Sequence, residues 1–443
     1  MEEVEKPRSK LYALEPLLRH IPEIEVPKRH VPFKEKFMWT VAALVIFFVM
    51  AQISLYGIPP GHGVGELLGQ LKYVFASQTG TLMELGIGPI VTAGIILQLL
   101  VGSKVINLDM TDPDDRALFT GAQKFLAVLM GLFEGSMLVL AGRYGVGIDT
   151  PAGLFILFQL VLGAVIVIYL DEIVSKYGLG SGVSLFIAGG VCMTLFWQIF
   201  NPSTGVLPAF FRDIASGEDP VQAFFAPGPA NMMGLVATIL VFLVVVYAES
   251  LRVEIPVAHE KYGGIRGKYP IKFLYTSNIP VILAMTIFAN FKIISAIFNI
   301  PWLTQVTTPP NGIHTVIEAP INTIIYVIIL LGFAVGFSWL WIYMTGMTPR
   351  DIAQQLDDAG MIIPGFRKDV RVMEEVLGRY VLTTTILGGL FVGLISAGAD
   401  VLGAIGSGTG ILLTVGIIYS LYEQIAREQV AEMFPAVRRL IGE

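Results

Sequence analysis

Long apolar runs alternate with short polar breaks along almost the whole chain, and within each run the apolar positions are continuous rather than every second residue. A continuous run of about 20 apolar residues is the length at which a helix crosses a bilayer. A membrane β-barrel would show apolar and polar positions alternating within segments of about ten residues. Reading the runs between charged or Gly/Pro-rich breaks predicts ten spanning helices, near residues 37–56, 82–102, 118–142, 152–174, 181–200, 230–250, 273–298, 319–345, 380–399 and 408–426. A polar segment, 1–36, precedes them without the layout of a signal peptide, and a polar tail, 427–443, follows. A loop at 201–229 separates five spans in 37–200 from five in 230–426.

Composition agrees with this pattern. Of 443 residues, 54% are hydrophobic and 14% charged, against about 25% charged in soluble domains. The net charge of -6 speaks against a generally basic nucleic-acid binder, but the placement of charge says more than its sum. If the N-terminus lies inside, 24 of the 29 Lys and Arg fall on the inner side. Only Lys72, Arg143 and Arg212 lie outside, with Lys124 and Lys292 within spans. This asymmetry predicts that both termini are cytoplasmic. The single cysteine, Cys192, excludes an intrachain disulfide.

Two inner loops are long: Arg252–Lys272 and Pro349–Tyr380. Each joins glycines to basic residues, a composition suited to a tip that meets a polyanion or an acidic protein surface. The same basic residues also serve as ordinary topology signals. Between the first two spans, Pro59, Pro60 and the glycines from Gly57 to Gly80 rule out one straight helix. The amphipathic stretch from about Glu66 to Thr79 is too short to span, so it either re-enters the membrane or lies outside as a surface helix. An internal repeat is also visible: GLGSGVSLFI (Gly178 to Ile187) opens the fifth span and GSGTGILLTV (Gly406 to Val415) opens the tenth. With five spans per half, the second copy enters from the opposite side, which predicts two inverted halves.

Motifs for chemistry are missing. There is no G-x-x-x-x-G-K-[ST] loop, no HExxH and no G-x-S-x-G, and five scattered histidines with one cysteine do not suggest a metal site. Neither an enzyme nor a cofactor is expected. Polar residues inside spans are the usual markers of function. Glu134 in the third is the clearest, with Thr92 in the second and Asn290 in the seventh; each could instead bond a neighbouring helix. Ile87 and Val91, like Val183 and Ile187, form i, i+4 aliphatic pairs of the kind that also line ordinary helix cores. Ten spans in inverted halves suit a secondary transporter as well as a pore, and an intramembrane enzyme is a third class.

The strings LGIGPIVTAGIILQLLVGS (from Leu85), YLDEIVSKYGLGSGVSLFI (from Tyr169), VYAESLRVEIPVAH (from Val246), GKYPIKFLYTSNIPVIL (from Gly267), GFRK (from Gly365) and GSGTGILLTVGIIYSLYEQ (from Gly406) closely resemble the SecY family, nearest its archaeal members. The resemblance runs from about Ile21 to the C-terminus and is weakest at Asn201–Pro229 and Asn299–Glu318. It implies an all-α polytopic membrane protein whose ten transmembrane helices form two inverted five-helix halves, hinged around 201–229, with a re-entrant plug helix at about 66–79. It further implies a protein-conducting channel with a ring of Ile87, Val91, Val183, Ile187, Ile282 and Leu413 at its constriction. A lateral gate would be bridged by Thr92, Glu134 and Asn290. Arg266, Lys268, Arg367 and Lys368 would dock on the phosphates of ribosomal RNA. The partners implied are a one-span SecE-type subunit, a SecG/Sec-beta-type subunit, the ribosome with its nascent signal-bearing polypeptide, and lipid, all at the plasma membrane.

Overall fold

The computed structural model describes residues 11–12, 15–18, 22–29, 31–59, 63–64, 69–103, 105–108, 112–224, 231–259, 266–274, 279–364 and 369–433. Ten long helices account for the ten apolar runs: α1 (Phe33–Met50), α2 (Gly88–Gly102), α3 (Pro113–Leu140), α4 (Pro151–Tyr177), α5 (Gly182–Phe200), α6 (Met232–Ser250), α7 (Ile279–Phe298), α8 (Pro320–Met344), α9 (Val370–Val401) and α10 (Gly408–Met433). Among the described residues, eight are long and apolar enough to cross a membrane on length and composition alone. The exceptions are α1, whose first turn carries Lys34, Glu35 and Lys36, and α2, which has 15 residues.

Helix starts follow local chemistry. The side chains of Asp112, Thr150, Asn231 and Asp369 accept from the first free amides of α3, α4, α6 and α9. Proline, whose missing N–H costs nothing at a first turn, opens α3, α4 and α8. Several ends differ from expectation: α9 begins at Val370, ten residues before the expected 380, α10 runs on to Met433, and α1 and α2 are each cut short at one end. Helix α1 stops at Met50 because the chain beyond it turns extended: Leu55 donates to the Gly80 carbonyl at 2.9 Å and Leu82 to that of Ile53 at 3.0 Å. The Gln159 amide holds the Tyr56 backbone from both sides, at 2.8 and 3.0 Å. Helix α2 starts at Gly88 because residues 82–87 fold back onto the preceding segment.

The chain separates into two compact units, residues 1–194 with 288–307 and 417–443, and residues 195–287 with 308–416. The core of the first is built around Tyr144 with Leu55, Leu85, Leu138, Ile156, Leu160 and Ile293. At the far end of α4, Glu172 receives Lys124 at 2.8 Å and Lys176 at 2.9 Å, and it also accepts the Ile24 amide. Lys124, a charge within a span, is thereby paired, as a partly buried cation must be.

In the second unit α8 packs along α9, and the two long loops meet in a sheet. Strands β1 (Arg252–His259), β2 (Arg266–Lys272) and β3 (Met361–Ile362) are antiparallel in the order β2-β1-β3. The purely helical expectation omitted these strands. Their physical basis is period-two burial: Ile255, Val257 and Ile271 turn inward, and Ile255 and Ile271 pack with Ile352, Leu356 and Leu377.

The repeat is present with a different register. Gly180 and Gly406 both have positive φ, 75° and 80°. Two residues on, a Cβ on Gly182 would lie 2.5 Å from the Asp171 Cα, and one on Gly408 would lie 2.2 Å from the Ser396 carbonyl oxygen. The matching strings are therefore LGSG (from Leu179) and IGSG (from Ile405), two residues out of step with the alignment that pairs Gly178 with Gly406. In this register Ile187 and Leu413 occupy the same place.

Candidate gate and pore-lining site

The segment before α2 is a 3-10 turn, Gly69–Tyr73, followed by tight turns through Ala76 at φ 49°. Residues 66–68 of the expected plug helix lie outside the described residues. The segment folds against the start of α2: the Ile87 amide donates to the Phe75 carbonyl at 2.9 Å, and Gln78 donates to that of Met83 at 3.0 Å. Gly86 permits this. Its φ is +54°, and a Cβ there would lie 2.1 Å from the Phe75 oxygen. On the other side, Ala76 meets α5 at Gly190, where an added Cβ would lie 3.3 Å from the Ala76 Cβ.

Residues 75–76 thus touch both helices that carry the first four expected ring residues. Ile87 and Ile187 are fully buried, while Val91 and Val183 are half-buried one turn away. Ile282, half-buried, and Leu413, buried, belong to the second unit.

The expected polar cluster comes together. Thr92 Oγ1 donates to Glu134 Oε1 at 2.9 Å, and both residues line with Asn290 one cavity of about 20 Å³. That is room for about one water. Gly88 lets the carboxylate approach α2, since a Cβ there would lie 3.1 Å from Glu134 Oε2.

The cavity has a fourth polar residue, Glu84, which the reading of the spans passed over. Its side chain is 1% exposed and forms an ion pair with Arg143, 5% exposed, at 2.7 Å. Its other oxygen accepts the Gly80 amide, and its carbonyl accepts the Ser77 hydroxyl. Beside the pair lies Tyr144, fully buried, with no hydrogen-bond partner for its hydroxyl among the described residues. Burial, reinforced by the Glu84 charge and opposed by Arg143, pushes its phenol far above the ordinary value. The signal for this pair was in the sequence: an ionisable residue within the second apolar run, and one of only three basic residues expected outside.

Of the expected docking residues, Arg266 begins β2 opposite Ala258, and Lys268 is exposed and paired with Glu254 across the hairpin. An exposed pair of this kind is worth about 0–1 kcal/mol. Arg367 and Lys368 lie outside the described residues. The strand that leads toward them, β3, joins β1 at Ala258 and His259, beside the hairpin end that carries Arg266.

A family model described as SecY matches residues 81–422, and one described as the plug domain of Sec61p matches residues 45–80. Protein translocase subunit SecY of Pyrococcus horikoshii is 47% identical over 470 residues, covering 98% of this chain and 99% of that protein. The subunit of the same name from Methanocaldococcus jannaschii is 42% identical over 443 residues, covering 96% and 99%. A solved protein-conducting channel matches with a TM-score of 0.83 at 42% identity, covering 96% of this chain and 99% of its own. Sec61 in a canine ribosome-channel complex from the endoplasmic reticulum matches with a TM-score of 0.81, also at 42% identity and with coverage of 96% and 99%. Fold and site together define a multi-pass helical membrane protein of the protein-conducting channel class. The chain belongs to the SecY family.

Proposed function

We propose that this chain is the central pore-forming subunit of a Sec-type channel, moving secretory polypeptides across the plasma membrane and releasing apolar segments sideways into lipid. The observation that carries the reading is the packing of residues 75–76 against the start of α2 and the middle of α5, the two helices beside which Ile87 and Ile187 are buried. Aliphatic side chains offer no partners to water or hydrated ions, so a narrow ring of Ile87, Val91, Val183, Ile187, Ile282 and Leu413 closes by dewetting. The same side chains hop between rotamers and fit around many passing sequences. The segment at 66–79 acts as the plug. The shared place of Ile187 and Leu413 in the repeat supports two inverted halves, 37–200 and 230–426, joined by the hinge loop 201–229.

Thr92, Glu134 and Asn290 favour the closed gate, so a signal sequence opens it when its transfer to lipid offsets the broken hydrogen bonds. Both termini are cytoplasmic, the sheet that joins loops 252–272 and 349–380 presents Arg266 and Lys268 to ribosomal RNA, and Arg367 and Lys368 of the second loop bind it as well. The solved ribosome-channel complex supports a ribosome partner. SecE-type and SecG/Sec-beta-type subunits complete the assembly, and the chain catalyses no reaction of its own. A ten-span transporter, the alternative class, finds no support among the relatives.

The test uses a Cys192→Ser background with single cysteines at Ile87, Val91 or Ile187 and a ribosome-stalled secretory chain. Crosslinks at all three, absent from lipid-facing controls, place the polypeptide in the ring. An engaged chain that crosslinks at none of them defeats the assignment.

A further inference from the structure

We propose that Glu84 and Arg143 form a buried ionic latch that holds the Gly69–Met83 segment closed and makes its release all-or-none, a positioning role that rests on the channel reading above.

Glu84 ties down the segment through three separate groups. One carboxylate oxygen pairs with Arg143 at 2.7 Å, the other accepts the Gly80 amide, and the main-chain carbonyl accepts the Ser77 hydroxyl. Arg143 anchors the arrangement from the loop after α3, among the core residues around Tyr144. Both charged side chains are almost dry, at 1% and 5% exposure. A dry ion pair tolerates little stretching: parting the charges without admitting water leaves each uncompensated in low dielectric. The segment therefore has two stable arrangements, one with the pair closed and dry, the other with both charges hydrated, and no cheap path of partial displacement.

The cavity gives the latch its link to the gate. Glu84 shares it with Thr92, Glu134 and Asn290, and Ala289 and Ile293 of α7 complete its wall. Any movement that widens this cavity brings water to the Glu84 carboxylate and weakens its hold on Arg143. A signal sequence that parts the polar cluster would in the same motion loosen the segment. Glu84 is thus a positioning residue that couples the two.

The test places a cysteine at Ala76 in the Cys192→Ser background and measures its labelling by a membrane-impermeant maleimide from outside, alongside the minimum signal-sequence hydrophobicity that supports translocation. Arg143→Met, which leaves the carboxylate buried and uncompensated, is expected to raise the labelling rate at least about tenfold and to admit weaker signal sequences. Glu84→Gln, which keeps an acceptor for Gly80 but loses the charge, should show a smaller shift in the same direction. The double variant should fall closer to wild type than Arg143→Met does, because both charges are gone. Correctly assembled single variants that label at the wild-type rate overturn the latch. Faster labelling with an unchanged signal threshold overturns its coupling to the gate. A wild-type channel that fails to crosslink an engaged chain at the ring is a failure of the channel reading, and the labelling rates still decide the latch.

Discussion

Asp171 and Asp400 do the same work on the helices that precede the two copies of the repeat, from non-equivalent positions: Asp171 lies 11 residues before Gly182 and Asp400 eight before Gly408. Asp171, on α4, accepts the Val183 amide at 2.8 Å as α5 begins, and Asp400, on α9, accepts the Gly408 amide at 2.7 Å as α10 begins. Each carboxylate satisfies a free amide at a helix start packed so closely on the preceding helix that only glycine fits, at Gly182 and Gly408. Asp400 also receives the Tyr326 hydroxyl at 3.3 Å.

Removing either acceptor strands a helix-start amide. Asp171→Ala and Asp400→Ala should each destabilise the protein by about 1–3 kcal/mol, with Asp→Asn, which keeps an oxygen, costing less. Thermal unfolding in detergent reads this directly. Alanine variants as stable as wild type would show that the caps carry no weight.

Gly86→Ala should displace the segment before α2. The new Cβ must occupy the position 2.1 Å from the Phe75 oxygen, at a φ of +54° that disfavours side chains. Backbone strain alone costs about 1–3 kcal/mol, and the Ile87 to Phe75 hydrogen bond breaks with it. Ion conductance of the idle protein in planar bilayers should rise; conductance equal to wild type would mean that this segment is no part of the barrier.

Thr92 and Glu134 share one buried hydrogen bond, so their substitutions should not add. Thr92→Val, Glu134→Gln and the double variant form a cycle with an expected coupling of about 0.5–3 kcal/mol in thermal stability. In translocation, Glu134→Leu should lower the signal hydrophobicity required, because no polar partner remains to be separated. A threshold unmoved across graded signal sequences is the outcome that removes the cluster from gating.

Ribosome affinity should fall with salt, and deleting one phosphate-binding side chain should reduce the slope of log affinity against log salt by about 1. Lys268→Ala tests one such side chain and Arg266→Ala another, by binding titrations at several salt concentrations. Slopes identical to wild type would move the docking surface elsewhere.

Much of this architecture is written in one dimension. Ten helices, the interruption before α2, the uneven distribution of Lys and Arg among the loops and the polar residues Thr92, Glu134 and Asn290 within spans are all legible, because a span must bury some 20 apolar residues in succession and lipid punishes every stray charge. The resemblance to the SecY family rests on short strings and needed no geometry. What the sequence could not display is whatever depends on two distant segments meeting. The sheet that joins loops 252–272 and 349–380 arises because β3, two residues long, pairs with the end of β1 about a hundred positions earlier, and no local pattern marks so short a strand. The register of the repeat depends on which glycines are pressed against the helix before them, and string matching placed it two residues away. Glu84 and Arg143 were each visible as isolated charges. Only the fold, by closing the α3–α4 turn over the start of α2, made them a pair, since a buried charge acquires its meaning from the partner that desolvation forces upon it.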